Sequence, residues 1–211
     1  MLSRLQEHVK AATEAMDKLM VRKAVHSALY LLDQDLQWYL QRIAPERDSP
    51  VRREAVMKVL KKVLDAQIRM LAPATPHLCE EIWSMMGKKG FISLAEWPLY
   101  NEKWVNVYAE ETESLIKNII EDTSNILRAT KVTPKRICYY TAANWKWKIY
   151  IKALERSISA EPSFKDLMRE FMADPELKKR GAEVAKFVQD VVGEIGRMSE
   201  DVKRRRLKAG I

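Results

Sequence analysis

The sequence predicts a mainly α-helical protein, with a helical bundle over residues 1–130 and a small appendix of one strand and several helices over 131–211. Two observations support this fold class. Apolar residues recur at intervals of three and four over most of the chain, which is the period of one face of an α-helix. The 211 residues also include only six glycines, against 37 Lys and Arg and 29 Asp and Glu, and this composition favours helices.

The first two helices of the predicted bundle follow clear apolar stripes. The first stripe steps by four and three residues and consists of Leu5, Val9, Ala12, Met16 and Leu19. After a slight break near Leu19, a second stripe runs from 21 to 43. The prolines and turn-forming residues of IAPERDSP at 43–50 then end this helix.

Three further helices complete the predicted bundle. Ser49 and Pro50 form an N-cap followed by a proline at the first helical position, and they start the third helix. Thr75 and Pro76 repeat this arrangement at the start of the fourth helix. An extended segment, FISLAEWP, comes next, and the fifth helix covers 103–130. The residues predicted to face inward from the fifth helix are Leu115, Ile119, Ile126 and Leu127.

The appendix contains the segment RICYYTA at 136–142, whose β-branched and aromatic residues predict a strand. Helices are predicted to follow from about residue 145, from Ser163, from Pro175 and from Ala182. A lone strand leaves its backbone groups unpaired. We therefore expect its partners in sequence beyond residue 211. Without those partners, the open edge of 136–142 is expected to pair with a second copy of itself.

The net charge of +8 is concentrated in one window, since no Asp or Glu occurs between Thr123 and Leu154. Tyrosines and tryptophans alternate there with seven cations, which are Arg128, Lys131, Lys135, Arg136, Lys146, Lys148 and Lys152. A second basic cluster comprises Lys203, Arg204, Arg205 and Arg206. A positive field beside aromatic rings suits a polyanion whose bases can stack, so we predict that the second cluster and all of the first except Lys152 contact RNA. The alternative is that the aromatic rings are core and the lysines form a solvated face.

The stretch LAPATPHLCEEIW at 71–83 allows two interpretations. His77 with Glu80 or Glu81 has the spacing that places two metal ligands on one helical face. The chain has only three histidines, however, and no two-histidine zinc pattern. We therefore favour an architectural interpretation, in which Thr75 caps the helix and the two glutamates lie near its positive end. The residues predicted to pack inward are Leu78, Ile82 and Trp83.

The sequence contains no recognisable catalytic or cofactor-binding pattern. It has no G-x-S-x-G segment, no P-loop lysine and no glycine-rich dinucleotide turn. We predict no catalytic residue, no metal and no cofactor in these residues. The two cysteines form no disulfide framework, no apolar run approaches a membrane span, and the first residues do not resemble a signal peptide. These features predict a cytoplasmic protein without a membrane partner.

Two segments carry a family resemblance. LAPATPHLCEEIW, followed by the short segment Ser93–Pro98 that ends in AEWP, resembles the anticodon-binding helical bundle of class I aminoacyl-tRNA synthetases. Within that class, MMGKKGFISLAEWP and the later AANWKWKIY and DPELKKRGAEVAKFVQDV are most similar to the archaeal and eukaryotic leucyl members. The motif residues are Thr75, Pro76, His77, Glu80, Glu81, Trp83, Trp97 and Pro98.

The resemblance covers nearly the whole chain and implies a portion of a larger enzyme. Leucyl-tRNA synthetases attach leucine to tRNA(Leu) with ATP, in a catalytic domain whose signature segments do not occur in this sequence. The resemblance implies that these residues carry no catalytic or editing site of their own. They would instead bind tRNA(Leu) on its anticodon-stem, body and variable-arm side, beside the remaining domains of the same synthetase. The appendix is expected to continue beyond the chain.

Three alternatives stay open at this point. One is a freestanding helical RNA-binding module. Another is a purely structural or protein-interaction bundle, in which the basic window only aids solubility. The third is the equivalent bundle of an isoleucyl-, valyl- or methionyl-tRNA synthetase. Salt-dependent tRNA binding would separate the structural bundle from the others.

Overall fold

The computed structural model describes residues 1–44, 50–159 and 163–210, and the regular structure in those ranges is helical. The mainly α-helical fold class is therefore confirmed. The chain divides into two compact units, Met1–Asn106 and Val107–Ile211. The domain boundary expected near residue 130 stays a prediction. It was placed between a family's helical bundle and its appendix, and the compact units of the structure need not share that boundary.

The described part of the first unit contains the α-helices α1 (Leu2–Asp17), α2 (Val21–Val25), α3 (Leu32–Ile43), α4 (Pro50–Leu71) and α5 (Pro76–Met85). Between α2 and α3, His26–Leu31 form a π-helical turn, so helical structure is continuous from Val21 to Ile43. Two short 3-10 turns, Ile92–Leu94 and Glu102–Trp104, follow α5. The predicted cap Ser49 lies outside the described residues.

The core of the first unit lies where α1 packs against the helical stretch around the π turn and against α4. Its buried residues are Leu5, Val9, Ala12, Ala15, Ala24, Ala28, Leu32, Val63, Ala66 and Met70. The predicted α1 stripe thus reaches the core as far as Ala12, with Met16 half-buried. Leu19 is different, since it is 87% exposed and has a φ of 55°. This left-handed residue ends the first helix, so its side chain leaves the stripe.

A buried histidine of α1 holds the π turn in place. His8 Nδ1 lies 3.2 Å from Ser27 Oγ in the turn, and His8 Nε2 lies 2.8 Å from Asp35 Oδ2 in α3. Arg4 Nε donates to the same Asp35 oxygen at 2.8 Å. Burial acts to raise the pKa of Asp35, but the hydrogen bond to His8 and the charge of Arg4 outweigh it and hold that pKa below its ordinary value.

The described part of the second unit contains α6 (Val107–Thr130), α7 (Asn144–Ser159), α8 (Phe164–Phe171), α9 (Pro175–Lys178), α10 (Gly181–Gly196) and α11 (Glu200–Ala209). Its core residues come mainly from α7 and α10 and are Ile149, Ala153, Leu154, Leu167, Phe171, Leu177, Val184, Val188, Val191 and Ile195. The sequence predicted one last helix through Val202. The chain instead breaks after Gly196 and starts α11 with Ser199 at the N-cap position.

The predicted strand at 136–142 is wrong, because that stretch has no regular structure. The ranges that the structure describes contain no strand, and a β-strand needs the backbone hydrogen bonds of a neighbouring strand. Strand-forming residue types alone were therefore insufficient to make this stretch a strand. The expected self-association through this stretch assumed a strand edge, and it loses that premise.

The inward face predicted for α6 also differs from the structure. Leu115, Ile119 and Ile126 are exposed, and only Leu127 is half-buried. A charged residue of the first turn is buried instead, since Glu110 lies against α11. The helical spacing places these apolar residues on one side of α6, but no described residue covers most of that side.

Candidate nucleic-acid interface

The segment 131–143, which joins α6 to α7, is exposed along its whole length. It begins at Lys131, whose φ of 53° ends α6 in a left-handed conformation. Tyr139 is tied back to α6 by a hydrogen bond of 2.9 Å between its hydroxyl and that of Thr123. Tyr140 is 96% exposed. Aromatic rings that lie in solvent rather than in a core are available to stack on unpaired bases.

The cations of this region are mostly without intramolecular partners. Among the described residues, none lies within ion-pair or hydrogen-bonding distance of the side chains of Arg128, Lys131, Lys135 and Lys148, and all four are exposed. Arg136 differs slightly, because its Nε donates to Cys138 Sγ at 3.2 Å. Lys152, which was not among the predicted contacts, pairs with Glu170 at 2.6 Å. A phosphate chain would meet these free charges without breaking an existing ion pair.

The helix α7 separates its buried and exposed sides clearly. Ile149 and Ala153 face the core, whereas Trp147 and Lys148 are exposed. Lys146 Nζ lies 5.2 Å from the ring centroid of Phe187 and 5.6 Å from that of Trp145, which is cation–π distance. The predicted contacts Lys146 and Lys148 therefore start from different environments, one against aromatic rings and one in solvent.

The four cations of the second cluster lie on α11, and three of them have carboxylate partners inside the unit. Arg205 Nη2 lies 2.8 Å from Glu110 Oε2, and its Nε lies 3.0 Å from Glu111 Oε1. Arg204 pairs more loosely with Glu200, at 3.6 Å. Lys203 is half-buried. Arg205 thus already holds α11 to α6, a contact that the basic run alone did not indicate.

Arg206, the last of the four, is held by two groups. Its Nη1 donates to the Tyr150 hydroxyl at 2.6 Å and lies 3.3 Å from Glu194 Oε1. Burial acts to lower the pKa of this guanidinium, but the bond to Tyr150 and the charge of Glu194 outweigh that effect and raise the pKa. Arg206 therefore remains a cation in a partly buried position.

A groove of about 310 Å³ lies within the second unit. Its lining includes Ser114 and Asn118 of α6 and the aromatic residues Trp147 and Tyr150 of α7. The two polar residues were not among the site residues predicted from the sequence. A signal for them exists in the i, i+4 spacing that places both on one face of α6, but only the fold shows that this face meets the aromatic residues of α7.

The start of α5 was predicted correctly in position but not in its chemistry. Pro76 is the first residue of α5 and Thr75 occupies the N-cap position, but the Thr75 side chain accepts no capping hydrogen bond. Its hydroxyl instead donates to the Leu71 carbonyl at 3.3 Å. The backbone makes the first helical bond, from Cys79 N–H to the Thr75 carbonyl at 3.1 Å.

Glu80 has a structural contact that the sequence did not predict. Its carboxylate accepts hydrogen bonds from the backbone N–H groups of Ile92 at 2.8 Å and Ser93 at 3.2 Å. These bonds, chiefly the one from Ile92, lower the pKa of Glu80. The carboxylate thereby holds the first 3-10 turn against α5.

The tryptophan and proline that close the second motif segment hold it to the bundle. Trp97 Nε1 donates to Thr13 Oγ1 of α1 at 2.8 Å, and Pro98 is buried. Arg69 Nη1 of α4 donates to the Glu96 carbonyl at 3.0 Å. The two motif segments thus connect α5 and the loop after it to α1 and α4.

The other motif residues show no arrangement for binding a metal. His77 and Glu81 are exposed, whereas Cys79 is buried in a small core with Ile68 and Ile92. Across 1–44, 50–159 and 163–210, no three His, Cys, Asp or Glu side chains are grouped closely enough to bind a metal ion. The packing prediction was wrong for one residue, since Leu78 is exposed. Ile82 and Trp83 are half-buried.

No helix within the described ranges combines the length and the apolar character that crossing a membrane requires.

Comparison with known proteins gives consistent matches. A family model described as the anticodon-binding domain of tRNA ligase matches residues 1–138. The chain is 40% identical over 205 residues to the leucine–tRNA ligase of Pyrococcus abyssi, covering 97% of this chain and 20% of that protein. It is 38% identical over 213 residues to the Pyrococcus furiosus leucine–tRNA ligase (99% of this chain, 21% of that protein) and 38% over 200 residues to that of Methanosarcina barkeri (95% and 20%). The chain thus spans about a fifth of the length of these relatives.

Proposed function

The chain belongs to the family of anticodon-binding domains of tRNA ligases, and from this membership we propose that it is a tRNA-binding portion of a leucine–tRNA ligase. Its partners in this proposal are tRNA(Leu) and the remaining domains of the same synthetase. The cytoplasmic location expected from the sequence is part of the proposal. The agreement of relatives from Pyrococcus and Methanosarcina on one name supports leucine rather than isoleucine, valine or methionine as the amino acid.

The observation that carries the proposal is the exposed basic surface of the second unit. We define this surface by its unpaired cations, which are Arg128, Lys131, Lys135 and Lys148. No acidic residue lies in the sequence window around them, from Thr123 to Leu154. Lysine and arginine contacts to phosphates provide most of the affinity for a folded RNA and position it, while exposed aromatic rings can bind splayed bases. Arg136, Lys146 and Lys203 stay in the proposal as further phosphate contacts.

The salt dependence of tRNA binding tests this function. The change is the double substitution Lys135→Ala and Lys148→Ala, measured by titrating a tRNA(Leu) transcript at several salt concentrations. Each lysine that neutralises one phosphate contributes about one unit to the slope of log K against log salt, so the double variant is expected to lower the slope by about two.

The matched control is Lys178→Ala with Lys179→Ala, which removes the same charge from exposed positions of the same unit outside the basic surface. This control is expected to change the slope by less than the lysines of the basic surface do. Equal slopes for both double variants and the unaltered chain would contradict the assignment of the basic surface. No tRNA binding at low salt would contradict the proposed function itself.

We assign the ligation reaction, with leucine and ATP as its substrates, to parts of the parent protein outside these 211 residues, and we assign no cofactor to the residues described here. The matched family is an anticodon-binding domain, and the relatives are about five times as long, which supports the assignment. Leucine-dependent exchange between ATP and pyrophosphate tests it. Exchange by the purified chain above a buffer blank would contradict it.

A further inference from the structure

The groove within the second unit has the chemistry of a nucleotide site. Its volume of about 310 Å³ is at the lower end of the range for small-ligand pockets, about 300–1,000 Å³. Helices α6, α7, α10 and α11 all contribute lining residues, and Ala142 at the end of the exposed segment does as well. The groove is lined by four helices, and its Trp147 is followed in the chain by Lys148 of the basic surface, so it is placed to receive a group that projects from a bound RNA.

One side of the groove is aromatic. The rings of Trp147 and Tyr150 are nearly parallel, with centroids 6.0 Å apart and an angle of 22° between their planes. Trp147 is 43% exposed, whereas a tryptophan that only fills a core is usually largely buried. Phe187 adds a third ring to the lining. A planar apolar surface that remains open to solvent suits a nucleobase, which has two such faces of its own.

The α6 side of the groove offers hydrogen bonds instead. Ser114 and Asn118 line it, and their side chains have no hydrogen-bond partner among the described residues. An amide provides both a donor and an acceptor, and a hydroxyl can act as either. These are the groups that read the edge of a base once it has left its stack.

The charges of the groove are compatible with a phosphate at its edge. Its two carboxylates are already paired inside the unit, Glu111 with Arg205 at 3.0 Å and Glu194 with Arg206 at 3.3 Å. Lys146 lines the groove, and no carboxylate of the described chain lies within ion-pair distance of its ammonium group. Lys146 is therefore the cation of the groove that a phosphate would contact.

We propose that this groove binds one unstacked nucleotide of the tRNA, with its base against Trp147, its base edge toward Ser114 and Asn118, and its phosphate toward Lys146. The proposal deepens the proposed function and rests on it. It differs from general phosphate binding because it predicts a contribution to affinity that does not depend on salt. Base stacking on an aromatic side chain is a contact of this kind.

The test uses the full chain, a tRNA(Leu) transcript and single-stranded pentamers of A, C or U. Trp147→Ala is expected to weaken tRNA binding about tenfold while leaving the salt slope unchanged, because it removes stacking and no charge. Trp147→Phe retains an aromatic ring and is expected to retain most of the affinity. The pentamers are expected to shift the indole N–H signal of Trp147 in an NMR spectrum, which the Trp147→Phe variant assigns.

A matched pair on α6 tests the base edge. Asn118→Ala is expected to reduce the difference in affinity between the three pentamers, whereas Asn125→Ala, an exposed position of the same helix outside the groove lining, is expected to leave that difference unchanged. Equal tRNA affinity of Trp147→Ala and the unaltered chain would overturn this inference while salt-dependent binding still supported the proposed function. Pentamers that leave the Trp147 signal in place would also overturn it. Absence of any tRNA binding would overturn both.

Discussion

Replacing Arg205 by alanine is expected to destabilise the second unit by about 2–3 kcal/mol. The Glu110 side chain is only 5% exposed, and Arg205 Nη2 lies 2.8 Å from its carboxylate. Removing one partner of a buried ion pair weakens the compensation of the remaining charge and costs about 3–5 kcal/mol. The Arg205 side chain is 38% exposed, so water reaches its end of the pair and the expected loss is reduced to about 2–3 kcal/mol.

Hydrogen exchange of buried amides measures this loss in the unit concerned. The amides of Val188 and Val191 in α10 lie in the core of the second unit, and their slowest exchange reports its opening free energy. This measurement suits a chain of two units, because a single unfolding transition cannot be assumed for it.

Two variants make the result specific. Arg204→Ala removes a neighbouring charge that is exposed and pairs with Glu200 at 3.6 Å, so it is expected to change stability by less than about 0.5 kcal/mol. Arg205→Met combined with Glu110→Gln is expected to recover much of the loss, because a neutral amide costs less to bury than a carboxylate.

The opposite result would refute the structural role. If Arg205→Ala costs no more stability than Arg204→Ala does, the pair with Glu110 contributes little. If the same variant also lowers the salt slope of tRNA binding by about one, then Arg205 contacts a phosphate, as the basic run in the sequence predicted.

Three further predictions concern the first unit. The hydrogen bond from Ile92 N–H lowers the pKa of Glu80 below 4.5. The stability that Glu80 contributes is therefore complete above pH 4.5 and is lost as the pH falls through the lowered pKa. A carboxyl NMR titration with a midpoint at or above 4.5 would contradict this. Trp97→Phe removes the indole donor to Thr13 and is expected to cost about 0.5–1.5 kcal/mol in urea unfolding, with a cost near zero as the contrary result. Thr75→Ala is expected to cost less than about 0.5 kcal/mol, because its side chain caps no amide; a loss of about 1 kcal/mol in the same assay would indicate a capping bond in solution.

The helices could be predicted because their information is local. Apolar spacing placed α1 and the helical stretch from Val21 to Ile43 from a few neighbouring residues each, and proline marked the starts of α4 and α5. The stretch 136–142 failed for the complementary reason, since a strand depends on a partner that no local pattern reveals. The exposed face of α6 failed because periodicity shows which residues share a face and not what covers it.

Some features of the candidate site could likewise be predicted from the sequence, and others could not. A window without acidic residues has few local partners for its lysines, so the unpaired state of Lys135 and Lys148 was accessible from sequence. The pairing of Arg205 with Glu110 was not, because 94 intervening residues separate the end of one helix from the start of another. Neither was the groove, since its aromatic and polar sides belong to helices that only the tertiary structure brings together.

The π turn between α2 and α3 has a consequence for the chain lengths that this fold tolerates. In an α-helix each residue advances the rotation by about 100°, so deleting one residue turns every later side chain away from its neighbour. A π turn closes its hydrogen bonds over one residue more than an α turn. A deletion within His26–Leu31 would therefore let the turn close as ordinary α-helix, with Leu32 still facing the core. Orthologous chains can thus differ by one residue at this turn while the buried faces before and after it stay in phase.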